Sequence, residues 1–486
     1  MRNLIKLILP FLLIVLIPCD QLKYDVTVTL KVIPLFAVDE KGNPVFDLKK
    51  EDLEILVAGK PVDIAQFERI DFSAEVSKTT EAFLPKRVIF FIFDTVYTSW
   101  YGTKRSKKIA EEIVKKSFPG DRFIILSLEL SRGLVYVADP EKNRRKLLKT
   151  IKKLSLTPAR MIFKKYYDRT DVENMLSEKE ASPGYLHLAN LYEDLKNKRA
   201  KEFAFALSQL EYALKTISDP KLIFLFSEGP LQTYFRVEVR EGGIDIMKAE
   251  FLDNLFYDYL MKIIKAINTG GSVLFTINPG KFKHFQPKDT GDFALRTLAM
   301  GSGGRYFEGS KIENIVSEIR RTISAYYEVS FYPEPLSEKF SKIKIRCKRK
   351  DVKIYTLRYI QREKPYPKMN SFERRLYVLN IIKGGSWSRM VAKIYKGKYK
   401  TLEKTKLKKT VKVKIKVPLH PSFHYRYGQV FVVQIEPKKK KVKFQENRHK
   451  FATEEIITVE AKKESKLFFA IVDEETGAAI YNRIKI

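Results

Sequence analysis

Cysteine is nearly absent from this sequence. Its 486 residues hold two, Cys19 and Cys347. If Cys19 is removed or modified, no disulfide framework is possible, and packing alone has to stabilise the chain. Histidine is almost as scarce, five in all, which starves most acid–base schemes. The order of elements brings no serine, histidine and aspartate together. His420 and His424, in LHPSFHYRYG, are four apart, a spacing that shares a metal on a helix, but Pro421 between them points to a loop. Gly301-Ser302-Gly303-Gly304 lacks the lysine of a phosphate-binding loop and follows a helix rather than a strand, so it reads as a turn. Acidic residues also fall short. Against 91 Lys+Arg there are 58 Asp+Glu, a net charge of +33. That balance bears on solubility and acidic partners, not on fold. It suits nucleic acid, anionic lipid or acidic glycan, and equally a surface simply coated in lysine. Disorder is excluded by 44% hydrophobic and 12% aromatic content, ample for sizeable cores.

The N-terminus narrows the partners. Arg2 and Lys6 precede LILPFLLIVLIP, residues 7–18, too short for a comfortable membrane span and shaped like a secretory leader over residues 1–20. Cys19 follows directly, in LIPC. This resembles a lipoprotein cleavage site at which the cysteine is lipidated, although Pro18 stands where that pattern wants a small residue. Lipidation, simple cleavage and retention as an anchor all place the bulk of the chain outside the cytoplasm, periplasmic, envelope-associated or extracellular. Nucleic acid is therefore not an expected partner.

Beyond the leader, residues 22–75 read as a small β domain. DVTVTLKVIPLF is rich in β-branched residues, Lys41-Gly42-Asn43-Pro44 makes a turn, and Ala58-Gly59-Lys60 turns the chain again. A polar linker ends near Lys86. From there strands and helices alternate. Val88–Phe93, Arg122–Leu128, Lys221–Phe226 and SVLFTIN (272–278) are apolar runs of the kind buried on both faces of a parallel sheet. Helices are expected from a Thr103 cap, from Asp139-Pro140 to about Leu154, over Arg199–Ser218, and over about Asp245–Ala266, with an insertion at about 155–198. The alternation predicts a doubly wound α/β sheet over 86–334, with helices on both faces and ligands at the carboxyl ends of the strands: Asp94, Glu129, Glu228 and Asn278. Further strands follow to 362. After a Pro-broken linker, residues 371–486 read as all strand, a β-sandwich in which Val411, Val413, Ile415 and Val417 face inward and Lys412, Lys414 and Lys416 outward.

VDEKGNPVFDLKKEDLEILVAGKPVDIAQF, RVIFFIFDTVYTS, FLFSEGP, LRTLAMGSGGRYFEGS and ISAYYEVSFYPE, in this order, resemble the bacterial von Willebrand factor A-related proteins of secreted and envelope fractions. The resemblance spans about residues 25–362. It implies a Rossmann-like von Willebrand A-type sheet carrying a metal-ion-dependent site of pattern Asp-x-Ser-x-Ser, with a threonine and an aspartate from later loops. One coordination place stays open there for a carboxylate of a partner protein. A hard ion such as Mg2+ or Mn2+ wants about six oxygens, which such hydroxyls and carboxylates supply. Here the pattern is degenerate. Asp94 is the aspartate, Val96 replaces the first serine and cannot ligate, and Thr98 stands at the second. Glu228 replaces the later aspartate, and Thr157, in SLTPAR, is the candidate loop threonine. Thr95 and Ser99 carry hydroxyls in the wrong register.

The expected function is a non-enzymatic, exported protein-interaction or adhesion-type module with this degenerate site. The alternative is a metal-independent envelope scaffold that works through its basic C-terminal domain. There Lys438, Lys439, Lys440 and Lys441, with Lys404, Lys406, Lys408 and Lys409, offer a patch for anionic lipid or an acidic envelope polymer. The same lysines also suit a solvated hairpin tip or a protected sheet edge.

Overall fold

The structure, a computed structural model, describes residues 30–73, 86–130, 132–141, 143–157, 198–215, 217, 219–230, 234–240, 243–249, 254–280, 291–309, 311–333, 340–361, 366–383, 394–436 and 441–485. The expected leader with Cys19, the body of the 155–198 insertion, and Lys438, Lys439 and Lys440 lie outside these residues.

A six-stranded sheet organises the middle of the chain. Its strands are β1 (Arg87–Asp94), β2 (Asp121–Glu129), β3 (Gly133–Glu141), β4 (Lys221–Phe226), β5 (Val273–Ile277) and β6 (Tyr306–Phe307). They lie in the order β3-β2-β1-β4-β5-β6. All neighbours are parallel except β3, which returns antiparallel to β2 at the edge. β1 explains why its sequence is one unbroken apolar run. Ile89, Phe91 and Phe93 join one core, Val88, Phe90 and Ile92 the other, since successive side chains point to opposite faces. Helices α1 (Trp100–Lys115), α2 (Arg144–Lys153) and α5 (Ile312–Thr322) bury Ile109, Ile113, Leu147, Ile151, Ile315 and Ile319 on the first face. Helices α3 (Asn254–Thr269) and α4 (Asp292–Ser302), with the helical residues 198–208, cover the second.

Several element expectations shift. Ser99, not Thr103, caps α1, and Thr103 sits a turn inside with its N–H on the Ser99 carbonyl. The stretch at Asp139-Pro140 still belongs to β3, and α2 starts after an Asn143 cap. The helix expected from Asp245 starts only at Asn254. Before it, Tyr234–Arg240 pairs with Gly243–Ala249 as an antiparallel hairpin. The alternation Val237-Glu-Val239 and Ile244-Asp-Ile246 carries that strand signal.

The small β segment and the closing strands are one unit. Lys31–Val38 pairs with both Ala325–Phe331 and Lys353–Thr356, and Ala325–Phe331 pairs onward with Ile64–Asp71. Leu53–Val57 pairs with Ser341–Cys347 in a second sheet. Residues expected in three separate stretches (22–75, the end of 86–334, and 335–362) therefore interleave. Gly303, the αL cap of α4, marks how closely they meet the helices: a Cβ there would lie 1.4 Å from the Thr356 carbonyl oxygen.

The C-terminal part pairs a five-stranded with a three-stranded sheet over a shared core. Val411, Val413, Ile415 and Val417 meet Val432, Leu467, Phe469 and Ile471. It is not all strand. Ser371–Lys383 is a helix. A reciprocal cap starts it: Glu373 N–H donates to Asn370 Oδ1 and Asn370 N–H to Glu373 Oε2. Among the described residues, no helix is long and apolar enough to cross a membrane.

Candidate functional site at the carboxyl edge of the central sheet

The strand order turns between β1 and β4, parallel neighbours in the middle of the sheet: after β1 the chain moves out to β2 on one side, and after β4 to β5 on the other. In open α/β sheets the crevice for a ligand forms at the carboxyl ends of such a pair. Asp94 ends β1, and Ser227-Glu228 follow β4 directly.

Asp94 is buried. Its Oδ1 accepts from the Val96 and Tyr97 amides at 2.7 and 3.3 Å, and its Oδ2 from the Ser227 hydroxyl at 2.5 Å. Ser227 Oγ in turn accepts from the Gly229 amide at 2.8 Å. Burial pushes the Asp94 carboxyl up to about 6, and the Glu228 charge adds to this against the hydrogen bonds that pull it down. Ser99 has two tasks: its Oγ accepts from the Gly102 amide at 3.0 Å as the cap of α1, and donates to Glu228 Oε1 at 2.5 Å. Glycines make room for Glu228. A Cβ on Gly102 would lie 2.2 Å from Glu228 Oε1 and 2.9 Å from Thr98 Cγ2, and one on Gly280 2.7 Å from the same Oε1. Thr98 and Glu228 thus both border Gly102, Thr98 with its methyl group. The Thr98 hydroxyl is buried and has no hydrogen-bond partner among the described residues.

The edge therefore gathers Asp94, Thr98 and Glu228. Thr157 is exposed beyond the end of α2. Thr95 turns its hydroxyl back to the Leu128 carbonyl at 2.9 Å, and Val96 packs into the core against β1 and β2. Sequence reasoning passed over Ser99 and Ser227. Ser99 is out of register with the family pattern, although a serine just before an amphipathic helix is a cap signal that brings a hydroxyl to the strand end. Ser227, in FLFSEGP, carries no local signal of such a role. The other strand ends are engaged locally: Glu129 accepts from Ser127, and Asn278 donates to Asp292, which also takes the Tyr306 hydroxyl.

No family model matches this sequence, and no curated protein matches it. Solved structures similar in outline include proximal thread matrix protein 1 from the mussel byssus, with a zinc-occupied MIDAS motif. It is 11% identical at a TM-score of 0.28, over 55% of this chain and 50% of that one. This chain thus matches half of the mussel protein's length. The manganese-loaded TRAP protein of Plasmodium vivax is 8% identical at 0.24, over 62% and 100%. Three N-terminal domains of the type V pili tip protein Mfa5 from Porphyromonas gingivalis are 9% identical at 0.28, over 95% and 78%. Likenesses this loose are of outline alone, and the chemistry of the edge rests on its own residues.

Those residues form an oxygen set. Among the described residues, no three His, Cys, Asp or Glu side chains cluster as metal ligands. Two carboxylates and three hydroxyls suit a hard cation rather than one that prefers imidazole or thiolate. The described histidines, His420, His424 and His449, are elsewhere. His420 Nδ1 meets Ser422, His424 Nε2 meets the Leu419 carbonyl, and neither shares a ligand. His449 pairs with Glu455 in the C-terminal sandwich.

Proposed function

We propose that the chain is an exported, non-enzymatic protein-interaction module that meets its partner with the carboxyl edge of the central sheet. Asp94, Thr98, Ser99 and Glu228 are the residues to hold a Mg2+ or Mn2+ ion there. The observation that carries this is the buried Thr98 hydroxyl, without a partner among the described residues, in the loop that runs from the buried Asp94 to Ser99, the partner of Glu228. A polar atom left unsatisfied in a native interior calls for an explanation, and a bound ion would satisfy it. When bound, such an ion supplies an electrophilic position for an oxygen of the partner. The rim suits a protein. Trp100 and Tyr101, next to Ser99, are 52% and 50% exposed, and Phe293, next to the Asp292 that opens α4, is exposed as well. Exposed aromatics around a polar centre are the composition of binding hot spots. Export rests on the leader-like residues 1–20.

A second reading has its own support. The Asp94 oxygens already accept three hydrogen bonds. Strand Lys400–Lys406 of the C-terminal sandwich is exposed at every position and carries three lysines. A scaffold that works without metal, through that basic domain, would use these features. Calorimetric titration of the chain lacking residues 1–20 with Mn2+ and Mg2+, beside Asp94→Ala, separates the two. Saturable binding by the parent and none by the variant supports the edge as the working site. No heat from either sinks the metal reading and turns the search to anionic ligands of the lysine-rich sandwich.

A further inference from the structure

Helix α2 carries more charge of one sign than its place in the fold needs. Its ten residues, RRKLLKTIKK, hold six cations and no acid. Leu147 and Ile151 are buried in the core of the first face. At 3.6 residues per turn, Arg145, Lys149, Lys152 and Lys153 fall within an arc of about 100° on the opposite side. All four are exposed. From Arg145 to Lys153 the helix rises about 12 Å.

These four charges are not neutralised. Among the described residues, no carboxylate pairs with any of them. Arg144 differs, since its guanidinium donates to the Ser117 and Phe118 carbonyls at 2.9 Å. Helix α1 packs alongside, but its Glu112 holds Lys115 of its own helix at 2.6 Å. Lys107 of α1 instead brings a further ammonium to the end of α2, on the Lys152 and Leu154 carbonyls at 2.8 and 3.0 Å. The arrangement works against the helix. Arg145 with Lys149, and Lys149 with Lys153, are like charges four residues apart, an unfavourable spacing. Arg144, Arg145 and Lys146 also crowd the first turn, where the helix dipole disfavours cations. The sandwich lysines are different: Lys414, Lys416 and Lys462 each meet a glutamate. A cationic face without counter-charges, held against the preference of its own helix, is complementary to a line of negative charges.

We propose that this face of α2 binds a linear acidic polysaccharide, with the carboxylates of successive sugars on Arg145, Lys149 and the Lys152–Lys153 pair. Two observations favour a polymer over a lipid surface. The apolar side chains Leu147 and Ile151 are committed to the core, so the exposed face has none to enter a bilayer. The charges also follow the helix axis, at steps of about 4.5–6 Å. The choice of polysaccharide over nucleic acid rests on the exported reading above. The site is separate from the carboxyl edge of the sheet and needs no ion there.

Fluorescence anisotropy of a labelled polygalacturonate oligomer with the full chain, at pH 7 and about 50 mM NaCl, tests this. Saturable binding is expected, weakened at least about tenfold in the combined variant Arg145→Gln, Lys149→Gln, Lys152→Gln, Lys153→Gln, with a shallower loss of affinity on adding salt. The control Lys404→Gln, Lys406→Gln, Lys408→Gln, Lys409→Gln removes the same charge from the sandwich and is expected to keep the parent's affinity. All eight positions are exposed, so neither change opens a core, and circular dichroism checks that both chains fold. Absence of binding by the parent, unchanged binding by the α2 variant, or an equal loss in the control overturns the proposal and leaves the exported reading untouched. Tighter binding to phosphatidylglycerol vesicles, lost in the α2 variant alone, overturns it in favour of a membrane surface. The same result with duplex DNA overturns it together with the argument from export.

Discussion

Gly102 shows how a single residue sets the geometry of the candidate site. It lies in the first turn of α1, where alanine would ordinarily be the better helix former by about 1 kcal/mol. Here a Cβ would run into Glu228 Oε1 and crowd Thr98. Gly102→Ala is therefore expected to destabilise by about 1–3 kcal/mol, the usual cost of overpacking, as measured by urea unfolding. A stabilised variant would show that Glu228 does not lie against the helix. Lys221 gives a prediction about pH. Its folded-state value is about 8 against an ordinary 10.5. Between these values the folded chain binds fewer protons than the unfolded one, so the parent gains stability as pH rises through that window. Lys221→Met removes the buried charge. It is expected to be more stable than the parent at pH 7, by about 1–2 kcal/mol, since the variant also loses the hydrogen bond to the Ile217 carbonyl, with the gap closing towards pH 10.5. Thermal unfolding at pH 7 and pH 10 checks the sign.

Among elements, the edge strand Lys400–Lys406 is the most instructive. It pairs with Thr410–Pro418 so that Lys404 lies opposite Val413 and Lys406 opposite Val411. Side chains opposite one another share a face, so these two lysines point to the side on which the valines enter the core, yet at the edge they remain exposed. Inward charges on an edge strand deter pairing with another chain. The double change Lys404→Val, Lys406→Val is expected to leave the sandwich folded and to make it associate, seen as light scattering that grows with protein concentration. Unchanged scattering would remove this account of the lysines. The outward face is tempered by neighbours: Lys416 meets Glu454 at 2.5 Å, and Glu436, 6% exposed, takes Lys462 at 3.0 Å and Lys443 at 3.6 Å. The outward lysines beside acidic neighbours are therefore a weaker anion-binding surface than the bare count of charges suggests.

At the scale of the whole molecule, one buried ion pair joins the parts. Arg87 opens β1, and Asp121 opens β2. Their side chains meet at 2.6 Å, the guanidinium also donates to the Ile323 carbonyl, and it stacks on Phe72 at 3.9 Å from the ring centre. The central sheet, the end of α5 and the β unit thus share one contact. Asp121→Ala leaves a buried guanidinium without its counter-charge and is expected to cost about 3–5 kcal/mol in chemical denaturation. A loss under about 1 kcal/mol would mean that solvent reaches this junction. The C-terminal helix docks more lightly, through Phe372 edge-on to Tyr212 and Asn380 on the Lys215 carbonyl.

The sequence by itself determined what depends on local pattern. Unbroken apolar runs such as VIFFIF specify strands buried on both faces, and their alternation with helices specifies a parallel, doubly wound sheet. TVKVKIKVP specifies one wet face and one dry face. The place of Asp94 and Glu228 at strand ends was legible for the same reason. Tertiary structure alone decided what depends on distant partners. Lys31–Val38 finds its neighbours about three hundred residues later, and nothing in its own pattern names them. Ser99 and Ser227 became site residues because a helix cap and a second strand end converge on the same two carboxylates. Thr157, a candidate only through the family's loop position, lies exposed beyond the end of α2. A cavity of about 370 Å³ at the amino ends of β1 and β4 has no sign in the sequence, because its lining comes from segments spread from Leu30 to Asn380, and only their packing leaves a space between them.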